Sequence, residues 1–133
     1  MNETPNTCMT EFFNAMVGAY ETWAEPLTAR LSQVALGRTT VSAGDRVLDI
    51  GAGTGALSLQ AAALGASVTA IDPAFAMVAR LNQRLAPYPE CKALVMDGEA
   101  LTFAEICSSP RRRRSLRPLR SPSARARPKG PLS

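Results

Sequence analysis

Val47-Leu48-Asp49-Ile50-Gly51-Ala52-Gly53-Thr54-Gly55 is the stretch whose reading decides the fold. An apolar run over 47–50 leads straight into three glycines on alternate positions, and a helical pattern follows. That order predicts a buried strand, a tight turn and a helix N-terminus. Glycine suits the turn because it accepts positive φ and lets a ligand lie against bare backbone. Amides at the start of the following helix are expected to point at whatever binds, and they favour negative charge.

Upstream of the turn, Thr10 reads as the cap of a first helix, with Phe12, Phe13, Met16, Val17 and Tyr20 on one apolar face. Pro26 suits the first turn of a second helix, for which Leu27, Leu31, Val34 and Ala35 form the expected buried stripe. Residues 42–45 read as a turn and 46–50 as the first strand. Downstream, the small residues of 54–64 suit a helix packed closely on a sheet, with Gly65 as its C-cap. A second strand is expected over 67–71, a helix over 74–85 and a third strand over 93–96. Pro87 and Pro89 break the helix before that third strand.

Strand, helix, strand, helix, strand predicts an α/β fold, the N-terminal half of a doubly wound, Rossmann-like parallel sheet. The expected organisation is N-terminal helices over 1–40, a partial cofactor-binding domain over 41–106 and a disordered basic tail over 107–133. Ligands of such sheets lie beyond the carboxyl ends of the strands. Asp49, Asp72 and Asp97 all fall at those ends.

At 133 residues the chain is at most one ordinary domain. No apolar run approaches the length of a membrane span, and the polar N-terminus does not resemble a secretory signal. Cys8, Cys91 and Cys107 share no metal-ligand spacing and the chain has no histidine, which argues against a metal site. The cysteines read as reduced thiols of a cytoplasmic protein. The net charge of +4 conceals two different segments. Up to Ile106 six basic residues stand against eleven acidic ones, whereas the remainder carries nine basic residues and no acid.

Asp72 lies about twenty residues past the first glycine, where a carboxylate can accept the hydroxyls of a ribose. It is equally placed to cap the helix at Ala74. The turn also satisfies the dinucleotide pattern, so a nicotinamide-binding module is a rival. Asp49 inside the strand, some forty-five residues of preceding helix and a third acid at Asp97 count against that rival.

Over about residues 20–103 the chain resembles the class I S-adenosylmethionine-dependent methyltransferases, especially the group containing the ubiquinone/menaquinone methyltransferases. Residues 47–55 are similar to that family's first motif. Asp72-Pro73-Ala74-Phe75-Ala76-Met77 is similar to the second, which implies an acid for the ribose and a methionine against adenine. Asp97-Gly98-Glu99-Ala100-Leu101-Thr102-Phe103 is similar to the third, whose first aspartate approaches the adenine amino group. The resemblance implies S-adenosyl-L-methionine as cofactor. Asp49 would orient its methionine end, whose amine and carboxylate meet the backbone of Gly51, Ala52, Gly53 and Gly55. The implied set is completed by Asp72, Met77, Asp97 and Gly98. Tyr20 and Trp23 stand where relatives often place aromatics in a helix over the cofactor, with plain core packing as the alternative.

The implied reaction is methyl transfer to a small molecule. The sulfonium already activates the methyl, so the protein mainly aligns the acceptor and excludes water. No residue is assigned as a general base, and no metal is required.

The resemblance stops partway through the family's fold, near residue 105. This predicts a truncated or frameshifted copy with strand one as a bare edge open to self-association. The rival reading is an inactive binding fragment whose arginine-rich tail meets nucleic acid or another anionic partner. The tail's lack of aromatics counts against nucleic acid.

Overall fold

The computed structural model describes residues 5–107. A helical arm comes first, made of α1 (Pro5–Ala15), the short α2 (Val17–Ala19), a π-helical turn (Tyr20–Ala24) and α3 (Glu25–Gly37). The α/β unit follows as β1 (Arg46–Ile50), α4 (Ala56–Ala63), β2 (Ser67–Asp72), α5 (Phe75–Leu85), β3 (Lys92–Val95) and α6 (Phe103–Cys107). The three strands are parallel in the order β1-β2-β3, with Arg46 opposite Ser67 and Thr69 opposite Lys92. The expected half of a doubly wound sheet is therefore present. The disordered-tail expectation falls on residues outside those described.

The core lies where α4 and α5 cover one face of the sheet. Ala61 and Ala62 of α4 let that helix approach Val68 and Ala70 of β2 closely, and Val78, Leu81 and Leu85 of α5 fill the remainder. Met77, Val78, Leu81 and Leu85 recur at helical spacing, so one stripe of α5 is buried throughout. Helix α4 ends in a Schellman arrangement: the amide of Gly65 donates to the Ala62 carbonyl at 2.9 Å and that of Ala66 to the Ala61 carbonyl at 3.2 Å. The other face of the sheet is thinner. Ile71, Met96 and Ile106 form a small cluster there, and a cavity of about 230 Å³ opens beside Leu48, Thr69 and Ile106.

Both flanks of the sheet end in edge strands. Along β3, the Asn82 side chain does for Ala93 what a neighbouring strand would do. Its Nδ2 donates to the Ala93 carbonyl and its Oδ1 accepts from the Ala93 amide, both at 3.0 Å. Strand β1 alternates between half-buried and exposed positions, leaving Leu48 and Ile50 open to solvent.

The arm departs from expectation in three ways. Helix α1 already includes Pro5, the first described residue, so Thr10 lies inside the helix and is not its cap. The face of α3 is reversed: Leu27, Leu31 and Val34 are 62%, 61% and 56% exposed, and Ala35 is exposed too. The inward face is the polar one. Glu25 and Thr28 turn inward, the Ala29 carbonyl accepts a hydrogen bond from Gln60, and only Leu36 of this helix's larger apolar residues packs on the core. Trp23 is 82% exposed, so it neither packs in the core nor covers the strand ends.

The outward stripe gives a direct check by chemical denaturation. Leu31→Lys is expected to change stability by less than about 0.5 kcal/mol, as for an ordinary surface position. Leu81→Ala, at a wholly buried position, is expected to cost about 2–5 kcal/mol. A large loss in the Leu31 variant would show that this face is covered in solution.

Candidate functional site

The site is built where β1 and β2 end. Strand β1 delivers Asp49 and then the turn, whose glycines Gly51, Gly53 and Gly55 have φ of +70°, +57° and +102°. All three positive-φ positions thus fall on the alternating glycines. The turn is stitched to β2: the amides of Gly51 and Ala52 both donate to the Ile71 carbonyl, at 2.9 and 3.0 Å, and the Gly55 amide donates to the Ala52 carbonyl. Amides expected to face a ligand are therefore largely used to hold the loop's own shape. Ala52 turns its side chain into the core.

Asp72, buried at the end of β2, accepts hydrogen bonds at both of its carboxylate oxygens. Its Oδ1 accepts from the Ala74 amide at 2.8 Å, the turn that leads into α5. Its Oδ2 accepts from the Gly53 amide at 3.0 Å, tying the second strand to the glycine turn across nineteen residues. An ionised carboxylate offers about four lone-pair sites, so two amides leave capacity for hydroxyl donors. Helix α5 is also capped from outside, because the Ala76 amide donates to Asn14 Oδ1 of α1 at 2.9 Å.

Asp49 accepts a 2.6 Å hydrogen bond from Ser58 Oγ of α4. Burial pushes its carboxyl above the ordinary aspartate range. The Ser58 bonds oppose that shift, and the nearby charge of Asp72 adds to it. A raised folded-state pKa gives stability that is complete at low pH and is lost as pH rises through the raised value. Asp49→Asn keeps an acceptor for Ser58 and removes the buried charge. It is therefore expected to raise the melting temperature by a few degrees at pH 7.5, with the gap to the parent closing as pH falls toward 4. Scanning calorimetry at the two pH values checks this, and a lower melting temperature at pH 7.5 would contradict it.

The remaining expected residues are distributed unevenly. Gly98 lies against the end of β1, where a Cβ would come within 2.7 Å of Ile50 Cγ2. Asp97 is half-buried, and its Oδ1 accepts from the Glu99 amide at 2.9 Å. Met77 is fully buried at the start of α5. The glycine turn and Asp72 are thus joined directly, with Asp49 beside them on β1, while Asp97 and Met77 stand at the same end of the sheet. Among the described residues no three His, Cys, Asp or Glu side chains are grouped to hold a metal ion.

Tyr20 is expected near the site only through the resemblance, and Glu21, Glu25, Arg80 and Arg84 carry no sequence signal. Tyr20 lies over the turn, 3.4 Å from where a Cβ on Gly53 would stand, and meets Phe13 edge to face. Arg84 Nη1 donates to Glu25 Oε1 at 2.6 Å and to the Thr54 carbonyl at 3.0 Å, while Thr54 Oγ1 donates to Glu25 Oε2 at 3.2 Å. Beside this triangle, Arg80 Nε donates to Glu21 Oε1 at 2.6 Å, and the same oxygen stands 3.9 Å from Arg84 Nη1. Both hydrogen-bonded ion pairs span 59 residues, a separation at which neither periodicity nor motif spacing reports contact.

The fit to a nucleoside-bearing cofactor rests on this geometry. A Cβ on Gly51 would meet nothing within 4 Å, so there is open space at the turn, while Asp72 reaches the turn at the Gly53 amide and Asp49 is close enough to feel its charge. A hydroxyl-rich, partly cationic ligand suits that arrangement.

The family model described as a methyltransferase domain matches residues 47–108. Uncharacterized proteins of Mycobacterium tuberculosis and Mycobacterium bovis are each 40% identical over 70 residues, which is 53% of this chain and 26% of theirs. The match therefore spans about a quarter of the length of these curated relatives. Among solved structures, a Methanococcus maripaludis protein assigned to the S-adenosyl-L-methionine-dependent methyltransferases superposes with a TM-score of 0.56. It is 22% identical and covers 76% of this chain and 48% of its own. Phosphoethanolamine N-methyltransferase 1 of Haemonchus contortus, solved with phosphoethanolamine and S-adenosylhomocysteine, gives 0.55 at 19% identity, covering 75% of this chain and 24% of its own. Those two structures, each under 25% identical, carry the fold alone. Residues 47–108 match the family model of a methyltransferase domain, and the chain shares the α/β fold of the two methyltransferase structures.

Proposed function

We propose that the chain binds S-adenosyl-L-methionine over the glycine turn and serves methyl transfer to a small-molecule acceptor. The observation that carries this reading is the junction of the Asp72 carboxylate with the Gly53 amide, 3.0 Å apart, beside the buried Asp49. It gathers at one place the two acids and the bare backbone that a ribose, an amine and a carboxylate would require. We place the protein with the ubiquinone/menaquinone-methyltransferase-like group on its three motifs, and in the cytoplasm. Among the described residues no helix is long and apolar enough to cross a membrane.

In this reading Asp72 holds the ribose hydroxyls, Asp49 orients the methionine end, and the backbone of Gly51, Ala52, Gly53 and Gly55 lies along it. Met77, Asp97 and Gly98 serve the adenine. Because Met77 is fully buried, its part requires neighbouring groups to shift when adenine is seated. The bound cofactor supplies an electrophilic methyl on a sulfonium. The chain's own contribution is orientation and exclusion of water, with Tyr20 as the covering side chain nearest the turn. Exposed β1 remains the edge through which we propose self-association.

Titration calorimetry with S-adenosylmethionine and S-adenosylhomocysteine tests the reading. Saturable heat is expected with both, and binding of duplex DNA is not. No heat with either cofactor form would overturn the assignment.

A further inference from the structure

The triangle of Glu25, Arg84 and Thr54 is unlike an ordinary ion pair between helices. Thr54 is completely buried at the middle of the glycine turn. Its hydroxyl and its carbonyl are taken by the two ends of one ion pair: the hydroxyl donates to Glu25 and the carbonyl accepts from Arg84. The guanidinium supplies both of its bonds from one nitrogen, so moving Arg84 disturbs Glu25 and the turn together. Thr54 is flanked by the two residues that give the turn its shape. On one side is Gly53, whose amide meets Asp72 and whose backbone lies under Tyr20. On the other is left-handed Gly55, packed on Leu81. A displacement of Thr54 must therefore be passed to the Gly53 amide and on to the Asp72 carboxylate.

We propose that Glu25 and Arg84 are positioning residues that set the cofactor turn through Thr54, so that the helical arm and the turn are aligned as one unit. This rests on the cofactor reading above for its consequence, but its physical content is the geometry of the turn. A pair that only fastened α3 to α5 would have no need of Thr54. The outer pair, Arg80 with Glu21, fastens the π-helical turn of the arm to α5 and makes no bond to the glycine turn.

Three variants separate positioning from fastening. Thr54→Val removes the hydroxyl at nearly constant volume. Arg84→Lys keeps the charge but ends one bond nearer the backbone than Nη1, so its ammonium falls short of holding Glu25 and the Thr54 carbonyl together. Arg80→Ala severs the outer pair and serves as the control. Affinity for S-adenosylhomocysteine, measured by calorimetry, is expected to fall about tenfold in Thr54→Val and in Arg84→Lys and to change less than twofold in Arg80→Ala. The double variant Thr54→Val/Arg84→Lys is expected to lose less than the product of the two single losses, because both act through one unit. Native-state hydrogen exchange without cofactor supplies the second readout. Exchange at the Gly53 and Gly55 amides is expected to quicken in Thr54→Val and Arg84→Lys but not in Arg80→Ala.

Unchanged exchange at those two amides, in variants that remain folded, would overturn the proposal whether or not the parent binds cofactor. Quickened exchange in a parent that gives no heat would uphold the positioning role and remove only the cofactor assignment. Equal effects in all three variants would mean simple fastening and overturn it.

Discussion

Asp72→Ala is expected to cost roughly 3 kcal/mol of stability and to abolish the heat of S-adenosylhomocysteine binding. The carboxylate is almost fully buried and accepts from two backbone amides, Gly53 at 3.0 Å and Ala74 at 2.8 Å. Hydrogen bonds to a charged group contribute about 1.5–3 kcal/mol each, and truncation leaves both donors without their acceptor. Water entering the vacated space offsets part of that loss, which places the expectation near the lower end of the sum. Asp72→Asn is the informative companion. Its oxygen can serve one amide, but its NH2 faces the other as a second donor, so an intermediate loss of stability is expected with binding still severely weakened. Urea denaturation and calorimetry on the two variants provide the check. Full retention of binding in either folded variant would remove Asp72 from the site.

Gly55→Ala is expected to destabilise the chain by about 3 kcal/mol, for two separable reasons. The residue has φ of +102°, a conformation costing an L side chain roughly 1–3 kcal/mol. A Cβ there would also stand 2.2 Å from Leu81 Cδ1 in the core, where overpacking adds about 1–3 kcal/mol. Leu81→Ala removes the clash but not the backbone strain. The double variant should therefore be less destabilised than the sum of the single variants, with the remaining shortfall reporting the left-handed turn. Strict additivity in urea denaturation would mean that Gly55 and Leu81 do not touch.

The parts legible in the sequence were those governed by neighbours along the chain. Alternating glycines announced positive φ because no other residue accepts it at low cost, and the structure has it at all three. Gly65 announced the end of α4, and Pro26 the first turn of α3, for similarly local reasons. Asp72 was legible as important but ambiguous in role. Its two oxygens turn out to serve the start of α5 and the glycine turn at once, a combination that spacing cannot express.

The reversed face of α3 shows the limit most plainly. Leu27, Leu31 and Val34 do recur at helical spacing, so periodicity found a real stripe. Periodicity says that a helix has two faces and is silent on which neighbour each face meets. Here the neighbour is the glycine turn with α4 and α5, and it meets the face that carries Glu25, which bonds Arg84 and Thr54.

From the amino-acid order alone came the three parallel strands, the glycine turn and the three acids at the strand ends, because each depends on local conformation or on period. Tertiary structure alone decided which groups meet there. It brought Asn14 to the start of α5, Ser58 to Asp49, Tyr20 to Gly53, and Glu25 with Arg84 to Thr54. Such contacts join residues tens of positions apart, where hydrogen-bond geometry and desolvation select partners that no local pattern encodes.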